Sequence, residues 1–177
     1  MIIAVSGLSG SGKNTLGELL AKELGYKLVC PTFKDLAAHE GISLMEFQEK
    51  AANDHDIDRK FDEVLREQAK GDCVVTTWLG PWMLEADVRI RVFAPLEVRA
   101  GRLAGRDGMK IDEARKHILE RDEGNRKRYR KVYGIDIYDE GLFDASLNSG
   151  VFRPEELLGI SLAIIKAKRG KGRTGTL

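Results

Sequence analysis

Residues 2–24, IIAVSGLSGSGKNTLGELLAKEL, decide the fold of this 177-residue chain. The apolar run at 2–5 predicts a buried parallel strand. A glycine-rich loop ending in a lysine, GLSGSGK at 7–13, follows at once, and leucines then recur at helical spacing through 16–24. A strand, a glycine-rich loop, a lysine and a helix in this order are the signature of a phosphate-binding loop.

Each part of this loop has a physical role in binding an anion. Glycines let the backbone curl so that successive N–H groups point inward, and the helix start adds partial positive charge. Lys13 supplies a full charge for the β- and γ-phosphates of a nucleotide. We therefore predict that the nucleotide-binding residues are Gly7, Ser9, Gly10, Ser11, Gly12, Lys13, Asn14 and Thr15.

Asn14 departs from the usual form of the loop. The residue after the lysine is ordinarily Ser or Thr, whose hydroxyl binds magnesium. An asparagine has no hydroxyl, although its carbonyl can hold a metal-bound water. Thr15 follows and is expected to contact the α-phosphate. The sequence thus keeps the phosphate site and leaves the direct ligands of magnesium open.

Length and composition restrict the possible classes of protein. A chain of 177 residues fits one domain with a substantial core, and 42% hydrophobic with 32% charged residues is typical of a globular protein. A net charge of +1 argues against bulk electrostatic binding of nucleic acid. The chain has no apolar stretch of membrane-spanning length and no signal-peptide layout. Cys30 and Cys73 are expected to be reduced thiols, and we predict a cytoplasmic monomer without membrane contact.

The rest of the chain alternates between strands and helices. Strands are predicted at about 2–6, 27–29, 73–77, 88–93 and 144–148. Strands that alternate with helices indicate an α/β fold, with a parallel sheet and helices on both of its faces. Ligands of such a sheet bind at the carboxyl ends of the strands.

Two features outside the strands affect the domain boundaries. Ser43 and Glu46 have the spacing of a capping box at the start of a helix. Residues 166–177, KAKRGKGRTGTL, are basic and lack apolar periodicity, so we predict a disordered tail. Contact of this tail with nucleic acid is a less favoured possibility.

Arginines that follow the fourth strand suggest a second ligand beside the phosphate loop. Arg99 and Arg102 are three residues apart, so they share one face of a helix. Arg106 is flanked by glycines at 105 and 108, which predicts a loop that can move.

A second group of polar residues forms a stripe along one helix. Arg121, Asn125 and Arg128 lie at positions i, i+4 and i+7. Phosphoryl transfer needs cations around the transferring oxygens, and planar guanidinium groups suit that task. The alternative is a solvated helix of ion pairs, since acidic residues are interspersed at 120, 122 and 123.

Six segments together resemble the nucleoside monophosphate kinases, most closely the archaeal type of cytidylate kinase. They are GLSGSGKNT (7–15), LAKELGYKLV (20–29), FKDLAAHEGISLMEF (33–47), DIDRKFDE (56–63), APLEVRAGRLAGRDG (94–108) and RYRKVYGIDIYD (128–139). The resemblance covers roughly residues 1–150, and the last segment is the most specific.

The resemblance implies a single P-loop kinase domain over residues 1–165, with a helical acceptor-binding segment at about 33–70 and a lid at about 104–120. It implies transfer of the γ-phosphoryl group of ATP to a nucleoside monophosphate, CMP or dCMP first, with Mg²⁺. The implied catalytic residues are Lys13, Arg106 and Arg121, and Arg102 joins the ATP site. The implied acceptor-binding residues are Lys34, Arg59, Trp78, Asn125 and Arg128.

The chain departs from the family at the acceptor end. Lys34 stands where the family has an arginine, which keeps the charge and loses the bidentate fork. Trp78 also replaces an arginine that binds the monophosphate in the family. Trp78 either packs against neighbouring side chains or stacks on the base of the acceptor. The strand at 73–77 ends without a carboxylate to anchor magnesium. These changes leave two alternatives: a nucleotide-binding protein without kinase activity, used as a switch or scaffold, or a P-loop kinase for a different small acceptor.

Other chemistry finds little support in the sequence. The three histidines, at 39, 55 and 117, do not have metal-ligand spacing, and the two cysteines form no CxxC motif. The acidic run at 54–58 lacks the glycine and the terminal glutamate of a calcium loop. The candidate chemistry therefore lies with the phosphate loop and the arginines.

Overall fold

The computed structural model describes residues 1–43, 46–47 and 56–171. Its strands are β1 (Ile2–Ser6), β2 (Lys27–Val29), β3 (Cys73–Thr76), β4 (Val88–Phe93) and β5 (Ala145–Asn148). They form one parallel sheet in the order β2-β3-β1-β4-β5. The five predicted strands and the parallel α/β sheet are therefore confirmed.

Helices follow the strands along the chain. Within the described residues they are α1 (Lys13–Leu24), α2 (Phe33–Glu40), α3 (Asp56–Gln68), α4 (Gly80–Met83), α5 (Leu96–Asp107), α6 (Ile111–Tyr133) and α7 (Pro154–Lys171). α1 buries the predicted leucine face and ends at Gly25, whose left-handed φ of 66° allows the backbone to leave the helix.

The sheet is buried on both faces, as the sequence predicts. Along β3 the side chain of Val74 joins an apolar cluster that includes Leu16 of α1 and Ile165 of α7. The neighbouring Val75 points to the opposite face, where it joins a cluster that includes Leu65 of α3. Two apolar layers therefore hold the sheet between helices.

The register of the strands brings the phosphate loop to the middle of one sheet edge. Val5 of β1 pairs with Thr76 of β3 on one side and with Ile90 of β4 on the other. The loop at 7–12 therefore leaves the central strand between the segments that follow β3 and β4. The carboxyl ends of these strands form the edge at which ligands bind in open parallel sheets.

The region around Arg106 is helical, and the prediction of a loop there is wrong. α5 continues through Gly105 and Arg106 and ends at Gly108, which has a left-handed φ of 66°. The cost of a glycine inside a helix is about 1 kcal/mol. An apolar seam that includes Ala100 of α5 and Ile118 of α6 is buried over these turns and offsets it.

The carboxyl-terminal helix is longer than the sequence indicates. α7 continues to Lys171, so residues 166–171 are not a disordered tail. Lys168 bonds to Asp144 at 2.8 Å, and the Arg169 guanidinium lies 5.8 Å from the centre of the Tyr26 ring. These contacts hold the last two turns against the domain. Residues 172–177 lie outside the described residues.

The capping box predicted at Ser43 and Glu46 is present in the structure. The Ser43 N–H donates to the Glu46 carboxylate at 2.8 Å and the Glu46 N–H to the Ser43 hydroxyl at 3.2 Å, which confirms the capping box. Residues 44–45 and 48–55 of the predicted acceptor-binding segment lie outside the described residues. The described helices include none with the length and apolarity needed to cross a membrane.

Candidate functional site

The phosphate loop has the backbone shape that an anion site requires. Gly10 and Gly12 take left-handed φ values of 75° and 88°. A Cβ on Gly10 would also lie only 3.0 Å from the backbone oxygen of Arg99. No side chain caps the start of α1, whose first N–H groups therefore remain available to a ligand.

Two serine hydroxyls in the loop are buried without a partner. Ser9 is 7% exposed and Ser11 is fully buried, and their Oγ atoms make no hydrogen bond to any described residue. Buried polar atoms are nearly always paired, so orphaned ones in a glycine-rich cradle fit a site whose partner is a ligand. The loop therefore suits the phosphates of a nucleotide.

Lys13 lies in a desolvated and positively charged setting. Burial is the main cause that lowers the pKa of Lys13 from 10.5 to about 8, and the charges of Arg121 and Arg106 act in the same direction. The charge of Asp122 opposes them. The Lys13 ammonium also lies 5.8 Å from the centre of the Trp78 ring. The structure therefore brings the three predicted catalytic cations close together.

Two arginines of α5 brace the phosphate loop from one side. Arg99 Nη1 donates to the Ser9 carbonyl at 3.2 Å, and Arg102 Nη1 donates to the Gly10 carbonyl at 3.1 Å. This agrees with their predicted place on one helix face. Because both bind carbonyl oxygens, they do not compete with an anion for the loop N–H groups.

Ser149, directly after β5, is a part of the site that the sequence analysis missed. Its hydroxyl donates to the Ser11 carbonyl at 2.6 Å, and its own carbonyl accepts from Arg102 Nη2 at 2.6 Å. Its position just beyond the carboxyl end of a strand was a usable signal, because that edge of the sheet carries the site.

Asp122 is the second missed residue. In the sequence it is one of the interspersed acidic residues that favour the alternative of a solvated helix, yet it is 2% exposed and lies 2.6 Å from Arg99. Its carboxylate is thus buried beside the phosphate loop. The pair joins residues 23 positions apart on two helices, so no local spacing could have revealed it.

α6 combines a solvated face with a face toward the site. Glu123 pairs with Lys127 at 3.6 Å on the exposed side, as the ion-pair alternative expects. The charge of Arg121 acts on Lys13, and Asn125 and Arg128 are half-buried. The helix therefore carries both the ion pairs and the predicted stripe.

Arg106 is paired with its own neighbour in this structure. Its guanidinium binds the Asp107 carboxylate through two hydrogen bonds of 2.7 and 2.8 Å, and its side chain is 67% exposed. This exposure leaves the side chain room to reorient. Its charge still acts on Lys13.

Trp78, one of the predicted acceptor residues, lies between the end of β1 and α6. The Trp78 carbonyl accepts from the Ser6 hydroxyl at 2.7 Å, and its ring centre lies 6.4 Å from that of Tyr129 in α6. Arg59 is exposed in α3. Lys34 belongs to α2, and its side chain lies outside the described residues.

Few of the described side chains around the phosphate loop are suited to bind magnesium directly. β3 is followed by Thr77, whose Oγ1 accepts from the Gly80 N–H at 2.8 Å, and neither residue carries a carboxylate. In the described part of the chain, His, Cys, Asp and Glu form no cluster of three suited to a metal. Asn14 is exposed at the start of α1 and fits a water of a nucleotide-bound metal ion.

The RYRKVYGIDIYD segment has a structural role next to the loop. Asp136 accepts two hydrogen bonds from Arg126, at 3.0 and 3.1 Å, and pairs with Arg130 at 3.2 Å. These contacts fasten the turn after α6. The buried Ile137 then lines a small crevice together with Gly7 of the phosphate loop.

Comparison with known proteins agrees with this arrangement. The model of the cytidylate kinase-like family matches residues 2–151. A cytidylate kinase of Pyrococcus horikoshii is 41% identical over 169 residues, which cover 93% of this chain and 88% of that protein. A cytidylate kinase of Ignicoccus hospitalis is 40% identical, covering 89% of this chain and 94% of that protein.

Solved structures show the same fold at low sequence identity. A shikimate kinase from Aquifex aeolicus matches with a TM-score of 0.59 and 23% identity, covering 99% of this chain and all of that one. A gluconokinase from Sinorhizobium meliloti has a TM-score of 0.58 and 18% identity, with 98% and 97% of the two chains covered. These likenesses show a P-loop kinase fold and no more.

Proposed function

The chain belongs to the cytidylate kinase-like family, and on this premise we propose that it transfers the γ-phosphoryl group of ATP to CMP or dCMP. The observation that carries the proposal is the convergence of Lys13 and Arg121 beside a phosphate loop with two orphaned serine hydroxyls. Such an arrangement stabilises negative charge on a transferring phosphoryl group. We place the reaction in the cytoplasm, with the protein acting as a monomer.

The chemistry is a direct displacement. An oxygen of the acceptor phosphate forms a bond to the γ-phosphorus while the bond to the β–γ bridging oxygen breaks, which releases ADP and a nucleoside diphosphate. No covalent enzyme intermediate forms. Lys13 and Arg121 stabilise the charge on the equatorial oxygens, and loop N–H groups hold the phosphates of ATP. Arg102 serves the ATP side, and Arg106 joins the transition state by leaving Asp107.

Bound together with ATP, Mg²⁺ would neutralise part of the negative charge of the phosphates. Asn14, rather than a hydroxyl, is the residue of this chain suited to hold one of its waters.

The acceptor site combines cations with polar and aromatic side chains. We assign Lys34, Arg59 and Arg128 to the acceptor phosphate, and Asn125 and Trp78 to the rest of the acceptor. Trp78 takes the place of a cation, so this site is expected to bind CMP less tightly than a site with an arginine there.

The test is an assay of the purified protein with ATP and Mg²⁺. Each ribo- and deoxyribonucleoside monophosphate is offered as the acceptor in turn, and the rate of ADP release is measured. We expect turnover with CMP or dCMP, abolished in Lys13→Ala. Lys22→Ala, an exposed lysine in the last turn of the same helix, is the matched control and should retain full turnover.

Two outcomes would replace the proposal with the alternatives. ATP binding without turnover of any monophosphate would indicate a nucleotide-binding protein that lacks kinase activity. Turnover with a non-nucleotide acceptor alone would indicate a kinase of another class. Full turnover in Lys13→Ala would contradict the role of the phosphate loop itself.

A further inference from the structure

Arg99 and Asp122 form a buried ion pair between the phosphate loop and α6. Arg99 Nη1 lies 2.6 Å from the Asp122 carboxylate and also donates to the Ser9 carbonyl at 3.2 Å. Their side chains are 9% and 3% exposed, and no other ion pair between described residues is this deeply buried on both sides. One guanidinium thus touches both the loop and the helix.

Stability is a poor explanation for this pair. Arg99 Nε and Asp122 Oδ1 are buried without a hydrogen-bond partner in the described part of the chain. A buried ion pair repays its desolvation only when its remaining polar atoms are satisfied, and apolar side chains of similar volume often pack at least as stably. The pair is therefore better explained by the geometry it imposes.

That geometry concerns the rotation of α6. Asp122 lies four residues after Ile118 and eight after Ala114, two residues of the apolar seam with α5. Asp122 therefore continues the buried face of α6 by one turn toward the phosphate loop. Arg121 is the adjacent residue, and it is exposed, with no hydrogen bond or ion pair to the described residues. Its charge nevertheless acts on Lys13, so its place relative to Lys13 depends on how α6 is held.

We propose that the Arg99–Asp122 pair is a positioning device that fixes α6 against the phosphate loop and thereby aims Arg121 at the phosphoryl group beside Lys13. The inference rests on the phosphotransferase activity proposed above. Neither member of the pair needs to touch the substrate, because both act through Arg121. Loss of the pair misplaces a group that acts mainly in the transition state, so kcat falls while the KM for ATP changes little.

A double-mutant cycle tests this coupling. Asp122→Asn keeps the shape of the side chain and removes its charge, and we expect kcat to fall about tenfold or more. In an Arg121→Ala background, Asp122→Asn should lower kcat by less than about twofold, because the arginine through which the pair acts is absent. Glu123→Gln, which alters the next carboxylate on the exposed face, is the matched control and should keep the wild-type kcat. Additive losses in the cycle would overturn the proposal.

A second variant separates positioning from folding. Arg99→Met combined with Asp122→Leu removes both charges and fills the site, so it should fold with a melting temperature near or above that of the wild type. We expect its kcat to be as low as that of Asp122→Asn. A wild-type kcat in this folded variant would show that the Arg99–Asp122 pair does not position Arg121.

Failure of the proposed function would be visible separately. If the wild-type protein phosphorylates no monophosphate, that result contradicts the proposed function alone. The same cycle is then measured by calorimetry on the binding of ADP with aluminium fluoride, a mimic of the transferring phosphoryl group. Non-additive effects of Asp122→Asn and Arg121→Ala on this binding support the positioning role, and additive effects refute it.

Discussion

Binding of ATP should take up a proton at alkaline pH, because burial lowers the pKa of Lys13 to about 8. With this pKa, about half of the free protein carries a neutral lysine at pH 8, and about nine-tenths does so at pH 9. The phosphates of ATP strongly favour the charged form, so the lysine of the complex is protonated at both values. The missing proton must come from the buffer.

The magnitude follows from the same pKa. We expect uptake of about 0.5 proton per ATP at pH 8 and about 0.9 at pH 9, and ATP affinity should fall about tenfold, or about 1.4 kcal/mol, for each further pH unit. Calorimetry in buffers of different ionisation enthalpy measures the uptake directly. Lys22→Ala, which removes an exposed lysine from the last turn of the same helix, serves as a control and should leave the uptake unchanged.

Lys13→Arg is the sharper control. Its guanidinium stays charged throughout this range, so the variant should bind ATP without proton uptake. A lowered pKa of Lys13 is refuted if the wild type takes up no proton between pH 8 and 9, or if Lys13→Arg takes up as many protons as the wild type.

The same lowered pKa has a consequence for stability. Lys13 has a lower pKa in the folded protein than in the unfolded chain, so folding is penalised while both states are charged, below about pH 8. The penalty disappears as the pH rises toward 10.5. Lys13→Met should therefore raise the free energy of unfolding by up to about 3 kcal/mol at pH 7, with little gain at pH 11.

Three further predictions concern single residues. Arg121→Ala should lower kcat more than it raises the KM for ATP, and Arg106→Ala should have the smaller effect because its side chain starts paired and exposed. Trp78→Arg should tighten CMP binding in calorimetry by about 1.5–3 kcal/mol, the usual worth of a charged hydrogen bond. The new methyl group of Gly17→Ala would overlap the methyl group of Thr76 in β3, so this change should lower the free energy of unfolding by about 1–3 kcal/mol. Gly124→Ala places its methyl group in open space and should raise the free energy of unfolding by up to about 1 kcal/mol. Thermal unfolding measures both changes.

The sheet was predictable because its signals are local. Buried parallel strands appear as short apolar runs, and the loop at 7–13 fixes the central strand and the edge that carries the site. The helical stripe of Arg121 was also visible, since a spacing of three or four residues needs no tertiary information.

The errors arose where packing between distant segments decides the outcome. Arg106 was predicted in a loop from two flanking glycines, but the seam between α5 and α6 holds it in a helix. Asp122 is an ordinary helix carboxylate by sequence, and it becomes a buried residue only because Arg99 lies across from it. Ser149 binds the loop through a contact that spans 138 positions in the chain.

Trp78 shows how the two ends of the site depend on each other. Its ring centre lies 5.8 Å from the Lys13 ammonium, and an aromatic face at this distance favours the charged lysine by about 0.5–2 kcal/mol. An arginine at the same position would instead bring a like charge, which lowers the pKa of a lysine. Trp78→Arg should thus raise the affinity for CMP. It should also lower the pH above which kcat/KM falls as Lys13 loses its proton. A tighter complex with CMP and an unchanged alkaline limit would show that residue 78 does not influence Lys13.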